Sequence, residues 1–114
     1  MKTATIDIEK GMLACDEALS KVQTEIEILS INNQIKVLKV IHGYGSKGRG
    51  GKIKHELFSL LQTLVKQNKI KGFAPNERFT QQNEKFNKYF KLYPELLFDA
   101  DLQNLNPGIT LIFL

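Results

Sequence analysis

A strand pattern runs directly into a glycine-rich, basic segment at residues 35–51, which read IKVLKVIHGYGSKGRGG. Ile35–Ile41 is rich in β-branched residues and predicts a strand. Five of the eight glycines of the protein fall in the next ten residues. Apolar residues then recur at helical spacing, so we expect a helix from about Gly51 to about Asn68. The apolar residues of this helix are Ile53, Leu57, Leu60, Leu61 and Leu64.

On both sides of this stretch, strands and helices alternate. We expect a strand over Thr3–Ile8, a helix over Ala14–Ser30, a strand over Ile70–Ala74, a helix over Thr80–Tyr93 and a strand over Ile109–Leu114. Such alternation indicates βαβ units and a sheet that is at least partly parallel. The fold class is therefore α/β, with four strands in the order strand-helix-strand-helix-strand-(helix)-strand. Because the last strand is nearly all apolar, we expect it to be central or covered on both faces.

Length and composition fit a single soluble domain. The 114 residues suffice for one domain and are too few for two ordinary ones. The apolar fraction of 42% argues against a wholly disordered chain. No apolar stretch approaches the roughly 20 residues of a membrane span, and the N-terminus has no signal-like apolar region. A single cysteine, Cys15, excludes an internal disulfide, so a cytoplasmic, reducing location is expected.

The positive charge is concentrated in the middle third of the chain. The net charge of the whole protein is only +4. Residues 36–72, however, contain nine bases and one acid, whereas residues 1–35 contain three bases and six acids. A basic segment on a nearly neutral fold indicates a polyanionic partner such as nucleic acid, or else a solvated lysine face.

The glycine-rich segment between a strand and a helix is suited to binding phosphate. Glycines let backbone N–H groups approach an anion closely, and the helix N-terminus adds unpaired N–H groups. The residues expected to contribute are Lys10, His42, Gly43, Tyr44, Gly45, Ser46, Lys47, Gly48, Arg49, Gly50, Gly51, Lys52 and Lys54. The same pattern leaves open a module for a small phosphate or nucleotide, or a flexible loop whose bases only aid solubility.

Catalysis of phosphodiester cleavage is an alternative to binding alone. If the first two strands are parallel, Asp7, Glu9 and Lys10 approach His42 at one edge of the sheet. Asp7 and Glu9 share a strand face and could hold Mg²⁺ or Mn²⁺. His42 could act as an acid or a base, or instead fix the loop through its ring nitrogens.

Several stretches together resemble a known family, the small MutS-related (Smr) domain. They are Ile6–Glu9, the acidic start of the first helix, Val40–Gly45 and Pro107–Leu114. The resemblance covers essentially all of residues 1–114 as a single domain, with residues 76–106 as a helical expansion before the last strand. Its most specific part is the His-Gly-x-Gly element, which His42, Gly43 and Gly45 match.

The resemblance implies a fold and a function. It implies an α+β two-layer sandwich with a mixed four-stranded sheet, similar to the C-terminal domain of bacterial translation initiation factor three. It also implies nucleic-acid binding and, in several members, endonuclease or nicking activity on DNA or RNA. Asp7 matches the aspartate of the first family motif, commonly Leu-Asp-x-His, but Glu9 stands at the position of the histidine that is tied to cleavage.

Aromatic residues alternate with lysines before the last strand. Phe79, Phe86, Tyr89, Phe90 and Tyr93 are interleaved with Lys85, Lys88 and Lys91. This pattern is typical of a stacking platform for single-stranded bases, or of rings packed on the sheet beneath solvated lysines.

Overall fold

Ten short elements make up the fold in the computed structural model, which describes residues 2–11, 13–32, 34–43 and 49–114. The strands are β1 (Lys2–Asp7), β2 (Ile35–Ile41), β3 (Gly72–Pro75) and β4 (Ile109–Phe113). The α-helices are α1 (Cys15–Ser30), α2 (Arg49–Lys66), α3 (Asn87–Leu92) and α4 (Ala100–Gln103), and two 3₁₀ helices span Asn76–Arg78 and Pro94–Phe98. The sheet order is β1-β2-β4-β3, with β1 and β2 parallel and β4 antiparallel to β2 and β3. The mixed four-stranded sheet and the parallel first pair are confirmed.

The two long helices cover one face of the sheet. Each buries an apolar stripe at the spacing of one helical face. The stripes are Ala18, Val22, Ile26 and Leu29 in α1, and Ile53, Leu57, Leu61 and Leu64 in α2. They form one core cluster with sheet residues such as Leu38, Val40 and Ile112. The helical spacing of both segments therefore predicts the buried faces correctly.

Residues 76–106 cover the opposite face of the sheet. Phe79, Phe86 and Tyr89 are buried there against alternate residues of β4, with the Tyr89 ring stacked 3.6 Å from that of Phe113. All five residues of β4 are buried, which confirms that this strand is central and covered on both faces. The two-layer expectation is corrected, because the expansion adds a third layer instead of leaving this face open.

The helix expected over Thr80–Tyr93 is shorter than its aromatic spacing suggests. Helical backbone is confined to α3, and turns precede it. The Asn83 side chain donates to the Arg78 carbonyl and accepts from the Lys85 amide, both at 3.0 Å. Such local bonds offer the backbone an alternative to helical pairing, so the helix begins only after them.

The boundaries of β3 and α2 also shift. The strand expected over Ile70–Ala74 lies at Gly72–Pro75, where a proline is tolerated because β3 is an edge strand. Helix α2 begins at Arg49 and not Gly51, and it ends at Lys66. Asn68 follows with a positive φ of 59°, and the Lys69 amide donates to the Leu64 carbonyl, which closes the helix end.

A partly buried ion-pair cluster ties the expansion to the sheet. Lys39 of β2 is 9% exposed, and its Nζ donates to Asp99 Oδ2 at 3.0 Å and Asp101 Oδ2 at 3.1 Å. Burial by itself lowers the pKa of Lys39, but the hydrogen bonds and charges of the two aspartates outweigh it and raise the pKa above its usual 10.5. Asp99 also caps α4 by accepting from the Asp101 and Leu102 amides.

Candidate functional site

The residues that follow β1 and β2 meet at one edge of the sheet. Asp7 is paired with Ile41, and the Ile8 amide donates to the Ile41 carbonyl at 2.9 Å. The first residue of β4, Ile109, is the partner of Ile41 on its other side. The parallel pairing therefore brings the acidic end of β1 to the residues that precede the glycine-rich segment.

Asp7 fixes the turn that leaves β1. Its Oδ1 accepts the amides of Glu9 at 3.0 Å and Lys10 at 2.9 Å. Gly11, with a φ of 87°, completes this turn. The carboxylate of Asp7 thus organises the backbone on which Glu9 and Lys10 stand, and both of these side chains are exposed.

Glu9 lies directly against the first glycine after β2. Gly43 has a φ of 72°, a conformation that side-chain-bearing residues rarely adopt. A Cβ atom placed on Gly43 would lie 1.7 Å from Glu9 Oε2 and 2.7 Å from Glu9 Cδ. The backbone angle therefore favours a glycine here, and any larger residue would also have to displace the Glu9 carboxylate.

His42 is fully buried, and both of its ring nitrogens have partners. Its Nδ1 lies 2.7 Å from the Gly43 carbonyl oxygen, and its Nε2 lies 2.8 Å from Thr110 Oγ1. Because a carbonyl only accepts, Nδ1 carries the hydrogen, and Nε2 accepts from the Thr110 hydroxyl. Burial lowers the pKa of His42, helped by the Lys54 charge and opposed by the Gly43 hydrogen bond and the Glu77 charge. The geometry fits the interpretation in which His42 fixes the loop, since neither nitrogen is open to a substrate.

The backbone after β2 is held by the turn before β4. The amides of His42 and Gly43 both donate to the Gly108 carbonyl, at 2.9 and 3.0 Å. The Gly108 amide in turn donates to Asn106 Oδ1 at 2.7 Å. The first two residues of the glycine-rich segment are thus anchored at a fixed point of the sheet edge.

Lys54, one of the expected phosphate ligands, is engaged in an ion pair. Its Nζ donates to Glu77 Oε1 at 2.5 Å and to the Pro107 carbonyl at 2.9 Å. This pair connects α2 to the 3₁₀ helix after β3. Lys10 and Lys52 are exposed and form no ion pair within the described ranges, so their charges are open to a ligand.

The 3₁₀ helix after β3 contributes buried polar atoms that sequence reasoning missed. Asn76 is fully buried and donates from Nδ2 to the Asp101 carbonyl at 3.2 Å. Its Oδ1, like Glu77 Oε2, is buried and accepts no hydrogen bond from the part of the chain that the structure describes. No sequence signal distinguishes Asn76 from an ordinary turn residue after Pro75.

Helix α2 provides the remaining part of the candidate site. It begins at Arg49, and its first turn contains no acidic residue. The first amides of a helix have no partner within it, and the helix dipole makes this end positive. The expected ligands Tyr44, Gly45, Ser46, Lys47 and Gly48 lie outside the described residues.

The structure also bears on the expected metal site and on the aromatic residues before the last strand. Among the described residues, no group of three or more His, Cys, Asp or Glu side chains has the arrangement of a metal site. Phe79, Phe86 and Tyr89 are buried against the sheet, in agreement with the packing interpretation, and Lys85 and Lys88 are exposed.

Cys15 is a free, half-buried thiol beside the first core cluster. Within the described ranges, no helix has both the length and the apolar character of a membrane crossing.

Comparison with known proteins returns no match for this chain, neither to a family model nor to a curated protein nor to a solved structure.

Proposed function

We propose that this protein is an Smr-like domain that binds nucleic acid through backbone phosphates at residues 42–52. The observation that carries the proposal is the start of α2. An 18-residue helix without an acid in its first turn begins at Arg49, directly after a segment rich in glycine. Unpaired amides and the positive end of the helix dipole favour an anion at such a point. The strand order and the stretches Ile6–Glu9, Val40–Gly45 and Pro107–Leu114 support the finer proposal of a fold like the C-terminal domain of translation initiation factor three.

Basic side chains at this edge of the sheet add to the attraction for phosphate groups. Lys47, Arg49 and Lys52 belong to the segment, which contains no acid between His42 and Lys54. Lys10 enters from the end of β1, where it is exposed. Phosphate contacts carry no sequence information, so the proposal covers both RNA and DNA. A cytoplasmic location goes with it, because the single cysteine has no disulfide partner to require an oxidising compartment.

A fixed base for the loop supports the same proposal. The buried ring of His42 is bonded to Gly43 and Thr110, and the Gly108 carbonyl holds two successive amides. His42 and Gly43 are thus held in place by β4, and the residues from Arg49 onward belong to α2. Anchored residues spend less binding free energy on ordering than free ones do.

The test is binding of labelled oligonucleotides measured by fluorescence anisotropy. Single-stranded RNA, single-stranded DNA and a duplex, each of about 15 units, are compared at low salt. The variant Lys47→Ala/Arg49→Ala removes two charges of the segment, and Lys66→Ala/Lys69→Ala removes two exposed charges at the far end of α2. The first is expected to weaken binding about tenfold and the second less than threefold. Equal effects of the two variants, or saturable binding of a mononucleotide without binding of any oligonucleotide, contradict the proposal.

The position of Glu9 favours a second candidate function, metal-assisted endonuclease activity in which Asp7 and Glu9 hold the ion. His42, the third residue expected at this site, is bonded at both ring nitrogens and takes no part in this candidate. The Glu9 carboxylate touches Gly43, beside the proposed phosphate site, where a carboxylate-bound Mg²⁺ or Mn²⁺ would reach a phosphodiester. Incubation of structured RNA and supercoiled DNA with each ion tests it. Cleavage that disappears in Glu9→Gln supports this candidate. Tighter binding by Glu9→Gln without any cleavage supports binding alone, because that variant removes a negative charge from an anion site.

A further inference from the structure

A groove follows the outer edge of β3, away from the proposed phosphate site. It has a volume of about 550 Å³ and lies between α2, β3 and residues 78–89. This volume falls within the range of sites that hold small organic ligands. Because β3 is the last strand of the sheet, this side of it is not covered by another strand.

Aromatic rings form part of the groove wall. Phe58 of α2 and Phe73 of β3 are both half-buried, and their ring centroids are 5.5 Å apart at an angle of 50°. Tyr89 closes the groove on the side of the expansion. Half-buried rings retain exposed surface on which another planar group can stack, unlike Phe79, which is 2% exposed.

The charge of the groove is positive. Arg78, Lys85 and Lys88 line it, and none of its described lining residues is acidic. Lys85 lies 5.5 Å from the Phe86 ring centroid, and Lys88 lies 5.2 Å from that of Tyr89, so aromatic surface and charge occur side by side. A second cavity, on the outer side of α1, is instead lined by several acids. The occupant of the β3 groove should therefore be anionic and should present planar groups.

Helix α2 links the groove to the proposed phosphate site, because Phe58 of this helix lines the groove. Phe58 comes one helical turn after Lys54, whose Nζ lies 5.9 Å from the Phe58 ring centroid. Phe58 lies nine positions after Arg49, which corresponds to only about 13.5 Å along the helix axis. A chain bound by its phosphates at the start of α2 therefore reaches the groove within a short distance.

We propose that this groove holds the unpaired bases of a single-stranded nucleic-acid segment whose neighbouring phosphates are bound at the start of α2. This inference rests on the proposed function and narrows its partner. Bases stack on Phe58 and Phe73, while Arg78, Lys85 and Lys88 neutralise the phosphates between them. In a duplex the bases are already stacked and paired, so they cannot enter the groove, and a preference for single strands follows.

The experiment measures the binding of single strands and duplexes by two variants, in each of which two exposed lysines are replaced by glutamate. Lys85→Glu/Lys88→Glu alters the groove, and Lys69→Glu/Lys91→Glu alters two exposed lysines outside it. Phe58→Leu keeps apolar volume but removes a stacking ring. The groove variant should weaken single-strand binding at least tenfold more than the control variant does, while the two weaken duplex binding alike. Phe58→Leu should weaken single-strand binding about fivefold and leave duplex binding unchanged.

Three results overturn the inference, and the first of them leaves the proposed function intact. If the groove variant and its control weaken single-strand binding equally while Lys47→Ala/Arg49→Ala still weakens it, the groove is not used and the phosphate site stands. If no oligonucleotide binds, the proposed function fails together with the inference. Binding of an acidic peptide that the groove variant abolishes, without binding of single strands, also overturns it, because the edge of β3 would then accept a protein strand.

Discussion

Thr110 on β4 and His42 at the end of β2 are joined by a hydrogen bond of 2.8 Å in which the threonine hydroxyl donates to the imidazole Nε2. Both residues are fully buried. The bond crosses from one strand to its neighbour at the edge where the proposed phosphate site lies, and it orients the ring that holds the Gly43 carbonyl. A side chain suited to acid–base chemistry is used here to fix backbone.

Removal of the Thr110 hydroxyl should leave a buried acceptor without a partner. Thr110→Val keeps the shape of the side chain, but His42 Nε2 then loses its donor, and we expect the free energy of unfolding to fall by about 1–3 kcal/mol. Thr110→Ser retains the hydroxyl and should lose less. Urea denaturation at neutral pH measures both. Equal stability of the valine variant and the wild type would show that this hydrogen bond contributes nothing.

The buried His42 should make stability depend on pH in the weakly acidic range. Its pKa lies below the ordinary value of 6.5 in the folded protein. The unfolded chain therefore takes up a proton as pH falls through 6.5 while the folded protein does not, so stability is lost in that direction. The slope is at most about 1.4 kcal/mol per pH unit for one group.

His42→Gln provides the comparison, because it removes the titrating ring. The variant should be less stable than the wild type above pH 6.5, where the ring is neutral in both states. Below that value its unfolding free energy should fall less steeply than that of the wild type. Denaturation curves at several pH values between about 7.5 and 5.5 decide the matter, and identical slopes in both proteins would contradict the assigned pKa direction.

The Lys39 cluster should stabilise the fold strongly. Lys39→Met leaves the Asp99 and Asp101 carboxylates without their cation, and we expect a loss of about 1–3 kcal/mol. Lys36→Met on the same strand is the control, since Lys36 is half-buried and forms no ion pair with a described residue. Because the pKa of Lys39 is raised, the stabilisation should be present at neutral pH and disappear only as pH rises above 10.5 through the folded pKa. If Lys39→Met is as stable as the wild type, the contribution of Lys39 to stability comes from the packing of its apolar stem and not from its ion pairs.

Gly43 and Gly51 should respond oppositely to alanine. Gly43→Ala forces a side chain into a positive φ and against Glu9, and should cost about 1–2 kcal/mol. Gly51 lies in α2, and beyond its own helix and chain neighbours no described atom lies within 4 Å of an added Cβ, so Gly51→Ala should stabilise by up to about 1 kcal/mol. Glu9→Ala added to Gly43→Ala should recover only the part that is due to contact. Thermal denaturation measures the series, and a neutral Gly43→Ala would refute the need for glycine.

The long periodic elements were predictable from sequence, and the expansion was not. The bounds of β2 and the buried stripes of α1 and α2 follow from local periodicity, which burial on one face imposes. The interruption before α3 depends on the Asn83 side chain, whose choice of backbone partners periodicity does not reveal.

Some contacts of the candidate site were likewise predictable from the sequence, and others were not. The meeting of Glu9 with Gly43 follows from parallel strands, which the alternation of elements predicts. The pairing of Lys54 with Glu77 depends instead on where the expansion places its 3₁₀ helix. Glu77, 23 positions after Lys54 in the sequence, thus forms an ion pair with a lysine that the basic pattern predicts to bind phosphate.

The salt dependence of nucleic-acid binding tests the central claim most directly. If phosphates are bound at residues 42–52, the logarithm of the binding constant should fall linearly with the logarithm of salt concentration, because each neutralised phosphate releases counterions. For a single strand, Lys47→Ala/Arg49→Ala should reduce that slope by about 1.4, while Lys66→Ala/Lys69→Ala leaves it nearly unchanged. A slope that is the same in the wild type and in the segment variant would contradict the account.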